Sequence, residues 1–227
     1  MENATKALMI AAGVLVGLLV VTLMMYGYNQ FSNYYRTQEE NKRFEQLANF
    51  NEQYIPYNRD DVRGSDILSL VNKIIDFNKV KDEEEITISI ELKSTDVEKF
   101  YFKYSENKNV RLIPTPGIKY TEANINSALI KKANAIESTY TQAKATKLAA
   151  NISTLMGDNT RKNTEDLLEE LKITYANENE IKQIQEDILK YYQYQQFKRA
   201  HFKCDKLEYT EQGRVKSFSF TFNGKFE

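Results

Sequence analysis

The sequence has one cysteine, Cys204, one histidine, His201, and no tryptophan. A single cysteine excludes an internal disulfide. His201 and Cys204 form an H-x-x-C pair, but residues three apart in a strand point to opposite faces. No further Cys or His exists to complete a metal site. The same opposition denies Cys204 a base, so it reads as a small buried residue and not a nucleophile. Proline and glycine are scarce, at 3 and 8, which excludes collagen-like stretches, long flexible linkers and a glycine-rich phosphate loop. Charge of one sign is not in excess either. Lysine plus arginine (31) nearly balances aspartate plus glutamate (32), so there is no basic field and no nucleic acid is expected as a partner.

Acidic clusters do occur, at Asp60–Asp61 and at Asp82–Glu85. They lack the spaced ligands and central glycine of a calcium loop and read as solvated surface. "GSD" at 64 to 66 suits a helix cap better than a catalytic serine. No nucleophile, base, metal or cofactor site is nominated, and the expectation is a protein that is not an enzyme.

What the sequence does have is "ALMIAAGVLVGLLVVTLMMY", residues Ala7 to Tyr26, twenty positions without a charge in a chain that is 28% charged. As a helix it spans about 30 Å, the thickness of a bilayer's hydrocarbon core. A secretory signal has a shorter apolar region and a small-residue cleavage site. This run ends in "MMYGY" without such a site, so an uncleaved anchor is expected. Tyr26, Tyr28, Phe31, Tyr34 and Tyr35 cluster where the helix would leave the membrane, as amphipathic rings do at an interface. Gly13 and Gly17 form G-x-x-x-G, a small-residue face on which two membrane helices can approach closely. The expected placement is single-pass in the cell membrane, N-terminus cytoplasmic and C-terminal domain outside, because a six-residue leader before a signal-like helix usually stays in the cytoplasm.

The chain beyond the run, roughly 190 residues, suffices for one domain with its own core or for two small ones. Residues 1–30 read as the transmembrane helix and 31–55 as a helical stalk carrying Phe44, Leu47 and Ala48 at helical spacing, ended by Pro56. Residues 56–227 form the exposed domain. Gly64 reads as a breaker and Ser65 or Asp66 as the cap of a helix with Ile67, Leu70, Val71, Ile74, Ile75 and Asn78 on one face. "ITISIEL" (86 to 92) alternates as a half-buried strand, "KFYFKY" (99 to 104) as a second and "VRLI" (110 to 113) as a third.

Thr121 then opens a long helix through Ile125, Leu129, Ile136, Tyr140, Ala143, Leu148, Ile152 and Leu155, stopped by Gly157. A second helix begins near Thr164. A third opens at Asn177 with Glu180 three residues on, the capping-box arrangement, and carries Ile181, Ile184, Ile188, Tyr191 and Gln195. Phe202, Cys204 and Lys206 alternate against Phe218, Phe220 and Phe222 around "TEQGR", a hairpin. The fold class is α+β. A long N-terminal transmembrane helix precedes a small antiparallel sheet, and the closing hairpin can pair with residues 86–92. The amphipathic helices at 121–199 then form an insertion.

The acidic residue followed by "KALMIAAGVLVGLLVV", and then a helix continuing toward a sheet domain, resembles the plan of type IV pilin-like proteins. In that family the apolar helix anchors the subunit in the membrane and packs in a filament core. Glu2 here stands before the apolar run and not inside it. "MENATKALMIAAGVL", "GSDILSLVNKIIDFNK" and the closing "FKC…GRV" strand also resemble uncharacterised single-pass membrane-anchored proteins of Gram-positive bacteria. The resemblance implies a membrane-anchored structural or assembly subunit of the cell envelope. Its expected partners are the lipid bilayer, copies of itself or other envelope proteins. The alternative is a monomeric, surface-displayed binding or adhesion module on one transmembrane helix, for which Tyr- and Asn-rich faces are suited.

Overall fold

A computed structural model describes residues 2–80, 84–91, 101–104, 108–111, 120–157 and 160–226. The chain divides into two compact units, Met1–Glu52 and Gln53–Glu227. The first is a single helix, α1 (Glu2–Glu52), of 51 residues. At 1.5 Å per residue it is about 77 Å long. The apolar run passes into the polar stalk without a break, and no residue of α1 is buried.

The second unit is α+β, with two cores. A short 3₁₀ turn at Ile55–Tyr57, with Pro56 in its first turn, leads to β1 (Val62–Arg63) and α2 (Gly64–Asn78). Ile67, Leu70, Val71 and Ile74 on α2 are fully buried, each worth about 1.5–3 kcal/mol of transfer free energy. Asn78, at the end of that face, does what a strand would do. Its side-chain amide donates to the Ile86 carbonyl (2.8 Å) while its oxygen accepts the Ile86 N–H (2.9 Å), pinning the entry to β2 (Thr87–Glu91).

Two expectations about α2 are corrected. Gly64 does not break the helix but lies in its first turn, and neither Ser65 nor Asp66 is the cap. Arg63 occupies the cap position without a side-chain hydrogen bond, and the Asp66 carboxylate is paired with Arg59. Gly64 is needed for space. A Cβ there would lie 1.7 Å from the Phe197 carbonyl oxygen.

The main sheet has the order β1-β5-β6-β2, with β5 Ala200–Tyr209 and β6 Val215–Phe226. The hairpin turns at Thr210–Gly213, where Gly213 has φ 83°, a value that suits glycine. β5 and β6 are antiparallel, but β2 runs parallel to β6, with Ile88 beside Phe218 and Ile90 beside Phe220. The sheet is therefore mixed and not antiparallel. A connection that contains a whole helical block can return the chain to either end of a strand, so direction is not set by the strand pattern. A register shift between Cys204 and Lys206 places Lys206 in solvent, although strict alternation put it with Phe202 and Cys204. The described parts of the other two expected strands, β3 (Tyr101–Tyr104) and β4 (Lys108–Arg111), pair only with each other. Residues 92, 99, 100, 112 and 113 of those expectations lie outside the described residues.

The expected helix after Thr121 is segmented. It comprises α3 (Glu122–Ile125), a π turn (Asn126–Ile130), α4 (Lys131–Tyr140), α5 (Gln142–Ala150) and α6 (Ile152–Met156). The main break is Thr141, at φ 59° and ψ 152°. Past that break the register changes, so Ala145 is buried and the expected Ala143 is exposed. Next come α7 (Thr160–Glu170) and α8 (Glu178–Arg199). Thr164 is inside α7 and buried, accepting a hydrogen bond from Gln185 Nε2 (2.9 Å). Asn177 caps α8 by accepting from the N–H groups of Asn179 and Glu180, and Glu180 accepts from the Ala176 N–H. These helices enclose the second core, which includes Ala133, Ile136, Leu148, Leu155, Leu168, Ile184 and Tyr191.

Candidate functional site

The candidate site is the first half of α1. Its best window has a mean hydropathy of 2.7, and the helix is long and apolar enough to cross a membrane. At 100° per residue, Leu8, Leu15, Leu18, Leu19 and Leu23 fall within a sector of about 140°. Gly13 and Gly17 lie on the opposite side, and a Cβ on either would meet nothing within 4 Å. The backbone is thus bare at these two positions, and leucine covers the opposite side.

The five expected aromatics are all on α1 and all exposed, from 59% at Tyr34 to 75% at Tyr28. They do not form a uniform collar. Tyr28, Phe31 and Tyr35 share one stripe, about 60° wide, that continues the line of Gly13 and Gly17. Tyr26 and Tyr34 lie off it. Tyr34 makes an edge contact with Tyr35, at 6.0 Å between ring centres, and its hydroxyl accepts from Gln38 Nε2 (2.7 Å). Charged side chains flank the apolar part in pairs four residues apart, Glu2 with Lys6 and Arg36 with Glu40.

In the second unit the groups with the most familiar chemistry are already engaged. His201 Nδ1 is 2.6 Å from Asp61 Oδ1, and this hydrogen bond is the main cause holding the Asp61 carboxyl below the usual carboxylate range. Cys204 is buried, which pushes its thiol above the ordinary range, and its S–H points to the Lys206 carbonyl (3.7 Å). The two residues do not share a site. Among the described residues no group of three or more His, Cys, Asp and Glu is placed to hold a metal ion. Asp60 pairs with Lys203 (2.9 Å) and Glu84 with Lys216 (3.9 Å), while Asp82 and Glu83 lie outside the described residues.

One concavity had no signal in the sequence. A groove of about 160 Å³ between α4 and α8 is lined by Lys132, Ile136, Thr139, Tyr140, Asp187 and Lys190. Spacing on α4 alone shows that Lys132, Ile136, Thr139 and Tyr140 share a face, but nothing in the sequence says that α8 lies against it.

Comparison with protein-family models, with curated proteins and with solved structures finds no match.

Proposed function

We propose that this protein is a membrane-anchored, non-enzymatic structural or assembly subunit of the cell envelope, with a pilin-like plan. The observation that supports it best is α1. Soluble monomers rarely expose contiguous apolar patches beyond a few hundred Å². Here every residue from Ala7 to Tyr26 is exposed, a patch that needs a cover. A bilayer supplies that cover on the leucine side. On the glycine side a second helix can approach closely, and such packing drives association in lipid, where little hydrophobic force acts between helices. In this reading Gln53–Glu227 is displayed outside and the segment before Ala7 stays cytoplasmic. Engagement of His201 by Asp61 and burial of Cys204 favour a role without catalysis.

The α4–α8 groove favours a second reading, a tethered binding module that stays monomeric. Oligomeric state separates the two. Membranes from expressing cells should retain the full chain through carbonate extraction, and gentle nonionic detergent should release it as assemblies larger than a monomer. Release by carbonate would sink the anchor. Monomers at every detergent-to-protein ratio would leave the second reading. Protease added to intact spheroplasts should remove Gln53–Glu227, and full protection would reverse the orientation.

A further inference from the structure

We infer that the groove between α4 and α8 is a binding site for the carboxylate or phosphate group of a small ligand, whose apolar part lies over Ile136. This goes beyond the anchoring role and does not depend on it. The volume, about 160 Å³, is similar to an engineered cavity that holds benzene, so the bound portion is roughly six to eight non-hydrogen atoms. Ile136, 5% exposed, gives the floor an apolar character.

The polar groups around that floor differ in what they have left to offer. Asp187 Oδ1 accepts from Gln183 Nε2 (2.9 Å) and from Lys190 Nζ (3.2 Å), so the Lys190 ammonium offsets the carboxylate charge. That pair is partly exposed, with side chains 37% and 28% exposed. The Thr139 hydroxyl donates to the Ala135 carbonyl (3.0 Å). Two donors remain. Neither the Lys132 ammonium nor the Tyr140 hydroxyl has a hydrogen-bond or ion-pair partner among the described residues. Burial, followed by the nearby Asp187 and Glu180 charges, pushes the Tyr140 phenol up, so it remains an O–H donor at neutral pH. A free cation and a free neutral donor at either end of one helical face match an acceptor-rich anion.

The backbone around α4 supports the assignment independently. A π turn (Asn126–Ile130) precedes the helix, and such turns recur at functional sites. Thr141 follows Tyr140 directly, at φ 59° and ψ 152°, a region that glycine alone occupies readily. A β-branched residue held there costs on the order of 1–3 kcal/mol, and strain of this kind gathers at ligand sites. The helix that presents both donors therefore lies between a π turn and a strained residue.

The test uses the full chain in uncharged detergent, titrated with butyl phosphate and with butyrate, and followed by NMR signals of the lysine and tyrosine side chains. Both anions should bind with Kd values in the millimolar range and shift Lys132 and Tyr140. Butylammonium and butanol should bind about tenfold more weakly or not at all. Lys132→Gln and Tyr140→Phe should each weaken anion binding about tenfold, whereas Lys162→Gln, outside the groove, should leave it unchanged. Both groove variants keep the fold's volume, and an unchanged Tm confirms that. Equal binding of butylammonium, or no effect of either groove variant, would overturn the assignment. A lipid headgroup and a soluble ligand share this chemistry. Nanodiscs distinguish them, because phosphatidylglycerol in place of phosphatidylcholine competes with butyl phosphate only if the headgroup enters the groove.

Discussion

Gly64→Ala sets two well-calibrated effects against each other. Gly64 lies in the first turn of α2, and alanine is better than glycine in a helix by about 0.8–1.0 kcal/mol. Propensity alone therefore forecasts a more stable protein. Packing forecasts the reverse. The new Cβ would sit 1.7 Å from the Phe197 carbonyl oxygen and 2.7 Å from its carbonyl carbon. Close carbon–oxygen approaches are usually about 3.3–3.6 Å, so the two backbones must part by roughly 1.6 Å. Both obstacles are main-chain atoms, and no rotamer change relieves them.

The shift would be felt where α2 is most tightly packed, since Ile67, Leu70, Val71 and Ile74 have no exposed surface. Overpacking costs about 1–3 kcal/mol, occasionally more, and a main-chain clash belongs at the upper end. The expected net loss, after the gain in propensity, is about 2 kcal/mol, or roughly 4–8 °C in Tm for a domain of this size. Thermal melting of the full chain in nonionic detergent, followed by near-ultraviolet circular dichroism of the tyrosines, reads it directly. Ser65→Ala, one residue on, should change stability by less than about 0.5 kcal/mol. An unchanged or higher Tm for Gly64→Ala would refute the close approach of α2 and α8.

Thr141→Gly should raise Tm by about 2–4 °C, because relief of about 1–3 kcal/mol of backbone strain exceeds the 0.5–1 kcal/mol entropy cost of glycine; a lower Tm would remove the strain argument. The Cys204 thiol, buried and pushed up, should react with iodoacetamide at pH 8 far more slowly in the native chain than in urea, and equal rates would place it on the surface. Asp61 has a depressed pKa when folded, so its stabilising contribution is present above the ordinary value of about 3.9 and lost as pH falls through the folded value. Asp61→Asn should therefore flatten the acid limb of the Tm–pH curve, and an unchanged limb would show that the His201 contact has no energetic weight. Gly13→Leu and Gly17→Leu should each weaken self-association of the span in a bilayer reporter assay, with Val14→Leu and Val16→Leu doing much less; equal effects at all four would leave the span as an anchor alone.

The parts of this fold that were legible in the sequence are those fixed by local physics. Twenty uncharged residues, the capping pair Asn177 and Glu180, the apolar face of α2 and the alternation of Phe218, Phe220 and Phe222 each report on their own segment. What escaped depends on a distant partner. Gly64 looked like a breaker because its real constraint is the carbonyl of Phe197, far along the chain. The apolar period across Thr141 fits one straight helix, and the sequence carries no mark of the bend. The direction of β2 is decided by what lies between the strands. The Gly13–Gly17 line was visible as a motif, and its continuation into Tyr28, Phe31 and Tyr35 follows once α1 is one unbroken helix. The α4–α8 groove was invisible, since Asp187 and Lys190 reach it only through the packing of the helical block.

That packing also ties the helical block to the sheet within one compact unit. α8 runs directly into β5, with Ala200 serving both as its cap and as the first strand residue. Along this one helix Ile184, Ile188 and Tyr191 belong to the core of the helical block. The Tyr191 hydroxyl donates to Glu137 on α4 (2.8 Å). Two turns later Phe197 faces the sheet, 5.2 Å from Phe202 between ring centres, and its carbonyl meets Gly64. A rigid helix shared by two cores transmits displacement between them, because neither end can shift without breaking packed contacts. Opening the α4–α5 bend should therefore loosen the sheet as well. The slow-exchanging amides of β5 and β6 and those of α8 should be lost together, in one cooperative step. Exchange that released the helical block while the hairpin stayed protected would show two independent cores joined only by chain.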